Sequence, residues 1–249
     1  MEAWRLALTF GASFAAGYLG SVVGLVLGTL RLPAVLLAAG NPAAAAGTNI
    51  AISAAAAASG GWRHAREGRV DWRVVAWMAP ASVVGAVVGG LLGGSLPERA
   101  LFAGIAAILA WNGLDLLVRP VRARPRTEPR VWPAAVFGLA IGVVGGAIGV
   151  ILGTLRMPAL LGAVGMDARR AVGTNLVVGF FLGVAGFAAH AARLEVEWDL
   201  LAAGLLGAIP GAWLGARKTG GLSEETLRRL IGVALLAIAV AFAIEAIAA

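Results

Sequence analysis

The chain contains no cysteine and only two histidines among its 249 residues. Without cysteine, disulfide bonds, thiolate catalysis and cysteine-ligated metals are excluded. Two histidines are too few for a persuasive imidazole metal site, so we expect neither a metal nor a cofactor. A Ser-His-Asp set, paired catalytic carboxylates and a Walker sequence are also missing, which argues against an enzyme.

Charged residues are scarce as well. They make up 13% of the chain, against about 25% in soluble domains, and the mean hydropathy is +0.88. Several uncharged runs exceed the roughly 20 residues that a bilayer-spanning helix needs. The uncharged runs cover residues 6–30, 32–62, 74–97, 131–155, 171–189 and 200–216, and the first four exceed this length. We predict an all-α polytopic protein of the inner (cytoplasmic) membrane, with lipids as partners.

The net charge of +7 does not indicate a nucleic-acid partner. The cations lie in short segments between the apolar runs, which is typical of headgroup contact and topology setting. Near the N-terminus, Arg5 is the only early cation and an A-x-A cleavage pattern is missing, so we expect no removable signal peptide.

One fourteen-residue segment occurs twice. Residues 20–33 read GSVVGLVLGTLRLP, and residues 145–158 read GGAIGVILGTLRMP. At an offset of 126, further matches follow: Gly47-Thr48-Asn49 with Gly173-Thr174-Asn175, His64 with His190, Trp72 with Trp198, and Glu98 with Glu224. We therefore predict two homologous transmembrane repeats, 1–120 and 131–249, joined by a basic, proline-rich linker at 121–130.

Each repeat is expected to hold a broken or re-entrant segment before its spans. In the first repeat, an apolar helix at 4–27 precedes a break at Gly28–Pro33, and spans follow near 43–62, 73–94 and 98–118. Asn41 and Asp167 suit N-caps, and Pro42 suits a first helical position. Glycines spaced by four, such as Gly211 and Gly215, are expected to let helices pack closely.

The orientation of the repeats follows from counting Lys and Arg. With four crossings per half the halves are parallel, and eleven cations lie inside against seven outside. With three crossings per half they are inverted, with fifteen inside and three outside. The positive-inside rule favours inverted repeats. The length of 6–30, which suffices to span alone, favours the parallel arrangement.

Each repeated segment carries an arginine inside an apolar stretch, where a charge costs roughly 2.5–3.5 kcal/mol. Arg31 and Arg156 stand between the glycine and proline that bracket the predicted break. Helix N-termini and guanidinium groups both favour oxyanions, so we predict an anion site here. The alternative is that both arginines snorkel to lipid headgroups.

The other candidate substrate-binding residues surround these arginines. They are Gly28, Thr29, Thr48, Asn49, Gly153, Thr154, Thr174 and Asn175. The alternative for the Thr and Asn side chains is hydrogen bonding between helices. His64 and His190 are either interfacial hydrogen-bonding groups or proton-linked residues. All thirteen acidic residues lie at predicted loops or helix ends, so a buried proton relay or Na⁺ ligand is not expected.

The duplicated glycine-rich break ending in proline, the following Gly-Thr motif and the segment from His64 to Trp72 together resemble the TauE/SafE sulfite-exporter family. The resemblance implies a secondary permease of seven or eight helices for sulfite, sulfoacetate or other sulfonates. It places substrate near Gly28, Pro33, Gly47, Thr48, Gly153, Pro158, Gly173 and Thr174. The chain departs from the family at Val26, Leu27, Ile151 and Leu152, where glycines are common, and at Asn49 and Asn175, where serine is commoner.

We expect a secondary transporter or facilitator that exports a small sulfur-containing anion bound between the repeats. An inside-negative potential drives an anion outward with about 2.3 kcal/mol per charge per 100 mV, so export needs no coupling ion. An anion channel and a non-transporting membrane scaffold are the alternatives, and a homo-oligomer is compatible with the sequence. Replacing Arg31 or Arg156 is expected to weaken anion binding more than replacing Arg193.

Overall fold

The structure is a computed structural model that describes residues 2–40, 42–92, 98–118, 128–148, 153–192 and 194–248, and these form helices and turns without a strand. The first five helices are α1 (Ala3–Val23), α2 (Gly28–Ala39), α3 (Pro42–Arg66), α4 (Trp72–Leu92) and α5 (Glu98–Val118). The others are α6 (Val131–Ile148), α7 (Gly153–Ala159) with a π-helical turn at Leu160–Val164, α8 (Ala168–Ala192), α9 (Trp198–Thr219) and α10 (Glu224–Ala248). The predicted all-α class is confirmed. Of the predicted linker, residues 121–127 lie outside the described residues.

Within the described residues, four helical segments are long and apolar enough to cross a membrane: α1, α8, α9 and residues 229–247 of α10. The side chains of Trp62, Trp72 and Trp198 are exposed at the ends of their helices, which is typical of anchors at the membrane interface. The protein is a multi-pass membrane protein.

The break after α1 lies earlier than predicted. α1 ends at Val23 because Gly24 adopts a left-handed conformation, with φ 69°, and donates its N–H to Gly20 O. Only glycine reaches this φ without a steric penalty. The non-helical residues are therefore 24–27, whereas the predicted break at Gly28–Pro33 is helical and belongs to α2. Arg31 consequently stands in the first turn of a helix.

Two helices precede α3 and lie beside it: α1 runs parallel to α3, and α2 runs in the opposite direction. α1 runs parallel to α3, since Ser13 and Ile52 share Gly204 as a neighbour while Ser21 lies against Gly60 further along both helices. α2 runs back along α3, because Gly28 lies beside Asn49 while the end of α2 leads directly into the start of α3. The start of α1 and the end of α2 thus lie at the same end of α3.

Two pairs of helices that correspond at an offset of 126, α3 with α8 and α5 with α10, pack antiparallel to each other. Along α3 and α8, Ala54 faces Gly183, and Gly61 faces Val177. Along α5 and α10, Gly113 faces Leu236 while Leu117 faces Gly232. Residue numbers therefore rise along one helix of each pair while they fall along the other.

α1 and α9 instead pack in parallel, and so do α4 and α6. Glycines at 207, 211 and 215 on α9 lie against the carbonyl oxygens of Phe10, Phe14 and Tyr18 on α1. A methyl group at any of these glycines would meet backbone, so the four-residue glycine spacing permits the close packing that we expected. Each parallel pair takes one helix from each predicted repeat.

Helix caps agree with the sequence where the structure describes them. Asp167 Oδ1 accepts the Arg170 N–H at 2.9 Å at the start of α8, and α3 begins at Pro42. Asn41 lies outside the described residues. Asp71 Oδ1 also accepts the Val74 N–H at 3.0 Å and caps α4.

Candidate functional site

Arg31 is buried between α2 and α3, with 2% of its surface exposed. Its Nε donates to Asn49 Oδ1 at 2.9 Å, and its Nη2 donates to Asn49 O at 2.9 Å and to Ser53 Oγ at 2.6 Å. Asn49 Nδ2 donates in turn to Gly28 O at 3.1 Å. One face of α3 therefore holds both the guanidinium group and the first residue of α2.

Arg156 occupies the corresponding position on α7 and is fully buried. Its Nε donates to Asn175 Oδ1 at 2.8 Å, but Nη1 and Nη2 have no hydrogen-bond partner among the described residues. Asn175 Nδ2 donates to Gly153 O at 3.0 Å and to Gly24 O at 2.5 Å. Since Gly24 belongs to the break after α1, Asn175 connects Arg156 to both halves of the chain.

The burial of Arg31 and Arg156 overturns the alternative that they snorkel. A snorkelling arginine extends its charged end to headgroups or water, whereas these two side chains are 2% and 0% exposed. Among the described residues, no Asp or Glu is buried and neither arginine forms a salt bridge. The two charges are thus stabilised only by neutral hydrogen-bond partners.

The guanidinium groups lie at different levels along the α3–α8 pair and have separate partners. Arg31 Nη2 contacts Ser53 on α3. Arg156 Nη2 lies beside Gly179 on α8, where an added Cβ would be 3.2 Å from it. From the antiparallel register, Gly179 is level with residue 58 of α3, which is about five residues, or roughly 8 Å, along the axis from Ser53. Both groups therefore lie near the middle of the α3–α8 pair.

A small cavity adjoins Arg31. It has a volume of about 10 Å³, which is room for about one water molecule. Ser21, Gly28, Ser53 and Leu176 contribute to its lining. An oxyanion with four heavy atoms needs more space than this cavity provides.

The Gly-Thr-Asn motifs have a second role that the sequence did not reveal. Thr48 Oγ1 accepts the Glu197 N–H at 2.8 Å, and Thr174 Oγ1 accepts the Asp71 N–H at 2.9 Å. Each hydroxyl thus holds the turn that follows α8 or α3 in the other half. The asparagines hydrogen-bond the arginines and the threonines contact turns, and the role of both residue types as anion ligands stays a prediction.

Replacing Thr48 or Thr174 with valine is expected to lower stability by about 1 kcal/mol, because each change leaves a backbone N–H without its acceptor. Thermal unfolding in detergent measures the effect. Thr9→Val is the matched control, since Thr9 is equally buried and its hydroxyl has no partner among the described residues. Equal losses for all three variants would contradict the proposed docking contacts.

His64 and His190 differ in their surroundings. His64 is fully buried, with Nε2 3.5 Å from Ser21 O and Nδ1 3.3 Å from Arg69 Nη1. His190 is partly exposed, and its Nδ1 lies 2.7 Å from Glu195 Oε2. His64 is therefore a buried hydrogen-bonding group near the end of α3, and a proton-linked role for either histidine stays a prediction.

The turn after α3 is rich in positive charge. Arg69 forms an ion pair with Glu67 and donates to Ala216 O at 3.2 Å. Burial lowers the pKa of Arg69, and the charges of Arg169 and Arg63 lower it further. Along the described part of the chain, no cluster of three potential metal ligands occurs.

Other candidate residues are only partly visible. Gly28 and Gly153 begin α2 and α7 and accept the asparagine hydrogen bonds. Thr29 and Thr154 lie within these helices, but their side chains are outside the described part. Sequence reasoning missed Ser53, which lies one turn after Asn49 and on the same face of α3. That i, i+4 spacing is the signal that could have found it.

Comparisons with known proteins agree with this architecture. The family model described as Sulfite exporter TauE/SafE matches residues 9–242. A probable membrane transporter protein of Xylella fastidiosa (strain 9a5c) is 26% identical over 96% of this chain and 95% of its own length. Probable membrane transporter protein ORF9 of Sinorhizobium sp. is 28% identical over 94% of this chain and 91% of its own length.

A third relative is the probable membrane transporter protein YdhB of Bacillus subtilis, which is 26% identical over 75% of this chain and 79% of its own length. No solved structure matches the chain. The family match covers both copies of the arginine-bearing segment and nearly all the described helices. The chain belongs to the TauE/SafE sulfite exporter family of membrane transporters.

Proposed function

We propose that the protein is a secondary transporter or facilitator that exports a small sulfur-containing anion, such as sulfite, sulfoacetate or another organosulfonate, across the cell membrane. The observation that carries the proposal is the burial of Arg31 and Arg156 without a carboxylate partner in the described part of the chain. An uncompensated buried charge costs several kcal/mol. A bound anion would neutralise this charge and recover part of that cost.

The chemistry of arginine fits this class of substrate. A guanidinium group presents two parallel N–H donors that match two oxygens of one oxyanion. Sulfite and sulfonates both offer such oxygens. The family description supports sulfite as a substrate, and the names of the relatives support transport rather than catalysis.

We place the two repeats in inverted orientation, with the substrate between them. The antiparallel packing of α3 with α8 and of α5 with α10 supports this placement, as does the return of α2 along α3. Three net crossings per half then leave fifteen of the Lys and Arg residues inside and three outside.

Export without a coupling ion is consistent with the side chains available. The described residues offer no buried carboxylate for a proton relay or a Na⁺ site. The membrane potential then supplies about 2.3 kcal/mol per charge per 100 mV for outward movement of the anion.

Sulfite or sulfoacetate is expected to stabilise the purified protein, because ligands that bind only the folded state raise its stability. At one hundred times the dissociation constant the gain is about 2.7 kcal/mol. Unfolding temperatures in sulfite, thiosulfate, sulfoacetate and chloride at equal ionic strength measure it. Chloride is expected to have no effect, and equal stabilisation by all four anions would contradict the proposal.

The matching flux experiment uses liposomes loaded with radioactive sulfite. A carrier gives saturable flux that external sulfite accelerates by exchange, whereas a channel gives conductance far above a carrier's turnover. The control variant is Arg217→Gln, since Arg217 is exposed at the end of α9. Arg193, the control suggested by the sequence, lies outside the described residues. Flux that is unchanged in an Arg31→Gln, Arg156→Gln double variant would favour a scaffold.

A further inference from the structure

We infer that the two arginines have different roles: Arg156 is the residue that contacts the anion, and Arg31 is a positioning residue that anchors α2 to α3. This division rests on the proposed function, because it names the substrate contact within the proposed site. It replaces a symmetric pair of guanidinium groups with one binding group and one structural group.

The hydrogen bonds of Arg31 are directed inward to its own half. Nε and Nη2 together donate to two oxygens of Asn49 and to Ser53 Oγ. Ser53 Oγ also donates to Asn49 O at 2.8 Å, so the residues form a closed network. An anion at Arg31 Nε or Nη2 would have to displace these contacts, which offsets much of the gain from binding.

Arg156 has two donors available. Nη1 and Nη2 are buried and have no partner among the described residues, and an unsatisfied buried charged donor is costly. Two such nitrogens at the end of one guanidinium group can bind two oxygens of one anion. Asn175 holds Nε at 2.8 Å and so fixes the direction of these donors.

The difference between the two arginines follows from one position in the repeat. Ser53 and Gly179 correspond at the offset of 126. Ser53 supplies the hydroxyl that accepts from Arg31 Nη2, whereas Gly179 has no side chain with which to do so. A Cβ at Gly179 would lie 3.2 Å from Arg156 Nη2 and 3.1 Å from Val26 Cγ2. Glycine here leaves the buried Nη2 without the side-chain acceptor that Ser53 provides for Arg31.

A second glycine, Gly153, lies next to the same guanidinium group. A Cβ at Gly153 would lie 3.3 Å from Arg156 Nη2 and 3.6 Å from both Asn175 Nδ2 and the Val26 backbone nitrogen. Three nitrogen atoms therefore surround the place where that methyl group would stand. Both hydrogens of Asn175 Nδ2 are donated to Gly24 O and Gly153 O, so the donors left for an anion are those of Arg156, which suit two oxygens of a sulfite or a short sulfonate.

The decisive variant is Gly179→Ser, tested by titrating sulfite and sulfoacetate into purified protein. The new hydroxyl gives Arg156 the partner that Arg31 already has, so anion affinity is expected to fall about tenfold. The matched variant Ser53→Gly removes the partner of Arg31 and is expected to leave affinity within about threefold. Arg156→Gln is expected to abolish binding, whereas Arg31→Gln is expected to lower the unfolding temperature and to weaken binding much less.

The outcomes separate this inference from the proposed function. Wild-type protein that binds no sulfur oxyanion contradicts both. Wild-type binding that falls equally in Arg31→Gln and Arg156→Gln, or that Gly179→Ser leaves unchanged, overturns the division of roles alone. Gly179→Ser keeps the test valid if Arg156→Gln does not fold, and its own unfolding temperature without anion shows that it folds.

Discussion

Replacing Gly47 or Gly173 with alanine is expected to prevent the protein from accumulating in a folded form. A Cβ at Gly47 would overlap the carbonyl oxygen of Glu195, and a Cβ at Gly173 would overlap that of Arg69. Both obstacles are backbone atoms, so a rotamer change cannot relieve them. Overpacking with side-chain relief costs about 1–3 kcal/mol, and we expect a larger loss here, out of a total stability of about 5–15 kcal/mol.

Yield of monodisperse protein after detergent extraction, followed by thermal unfolding of whatever is recovered, measures this effect. Gly11→Ala is the control, because a Cβ at Gly11 meets nothing within 4 Å. In a helix interior that change is expected to stabilise by about 0.5–1 kcal/mol. If the Gly47→Ala and Gly173→Ala variants gave the same yield and unfolding temperature as Gly11→Ala, that result would contradict the close packing of the turns against α3 and α8.

Replacing Asn175 with leucine is expected to have the second-largest effect. The change keeps the volume but removes the acceptor for Arg156 Nε and the donor to Gly153 O and Gly24 O. Arg156 would then have no hydrogen-bond partner among the described residues, and breaking a buried charged contact typically costs 3–5 kcal/mol. A fall in the unfolding temperature of the purified variant checks this expectation.

Asn49→Leu is the paired comparison, since Asn49 holds Arg31 in the same way. Its loss is expected to be smaller, because Arg31 Nη2 retains Ser53 Oγ and the backbone oxygen of residue 49. Among the described residues, the Asn49 side chain donates to Gly28 O in its own half, whereas Asn175 also reaches Gly24 in the other half. If Asn49→Leu destabilised the protein as much as Asn175→Leu, the two sites would be energetically equivalent.

Much of the architecture could be predicted because it depends on local composition. Long uncharged runs predict membrane helices, and a charge kept twice in such a run indicates a site. The caps also followed from local chemistry, as Asp167 shows. The position of the break could not be predicted in this way, because Gly20, Gly24 and Gly28 could each end the first helix. Only the conformation of the backbone identifies Gly24 as the residue with positive φ.

The partners of each side chain were harder to predict, because they depend on helices distant in sequence. Thr48 and Thr174 looked like ligands from their place beside Asn49 and Asn175. Adjacent residues on a helix point about 100° apart, so a threonine and the asparagine after it reach different neighbours. The contrast between Ser53 and Gly179 is visible in the sequence, but its meaning depends on knowing that both residues lie beside an arginine.

The parallel pairing of α1 with α9 has a consequence for synthesis of the chain. Phe10 leaves the ribosome about 200 residues before Gly207, its neighbour in the finished protein. At about 5–20 residues per second this delay is roughly 10–40 seconds. During that time the face of α1 that packs against the α9 glycines is without its final partner. Assembly of the first five helices is therefore provisional until the ninth arrives.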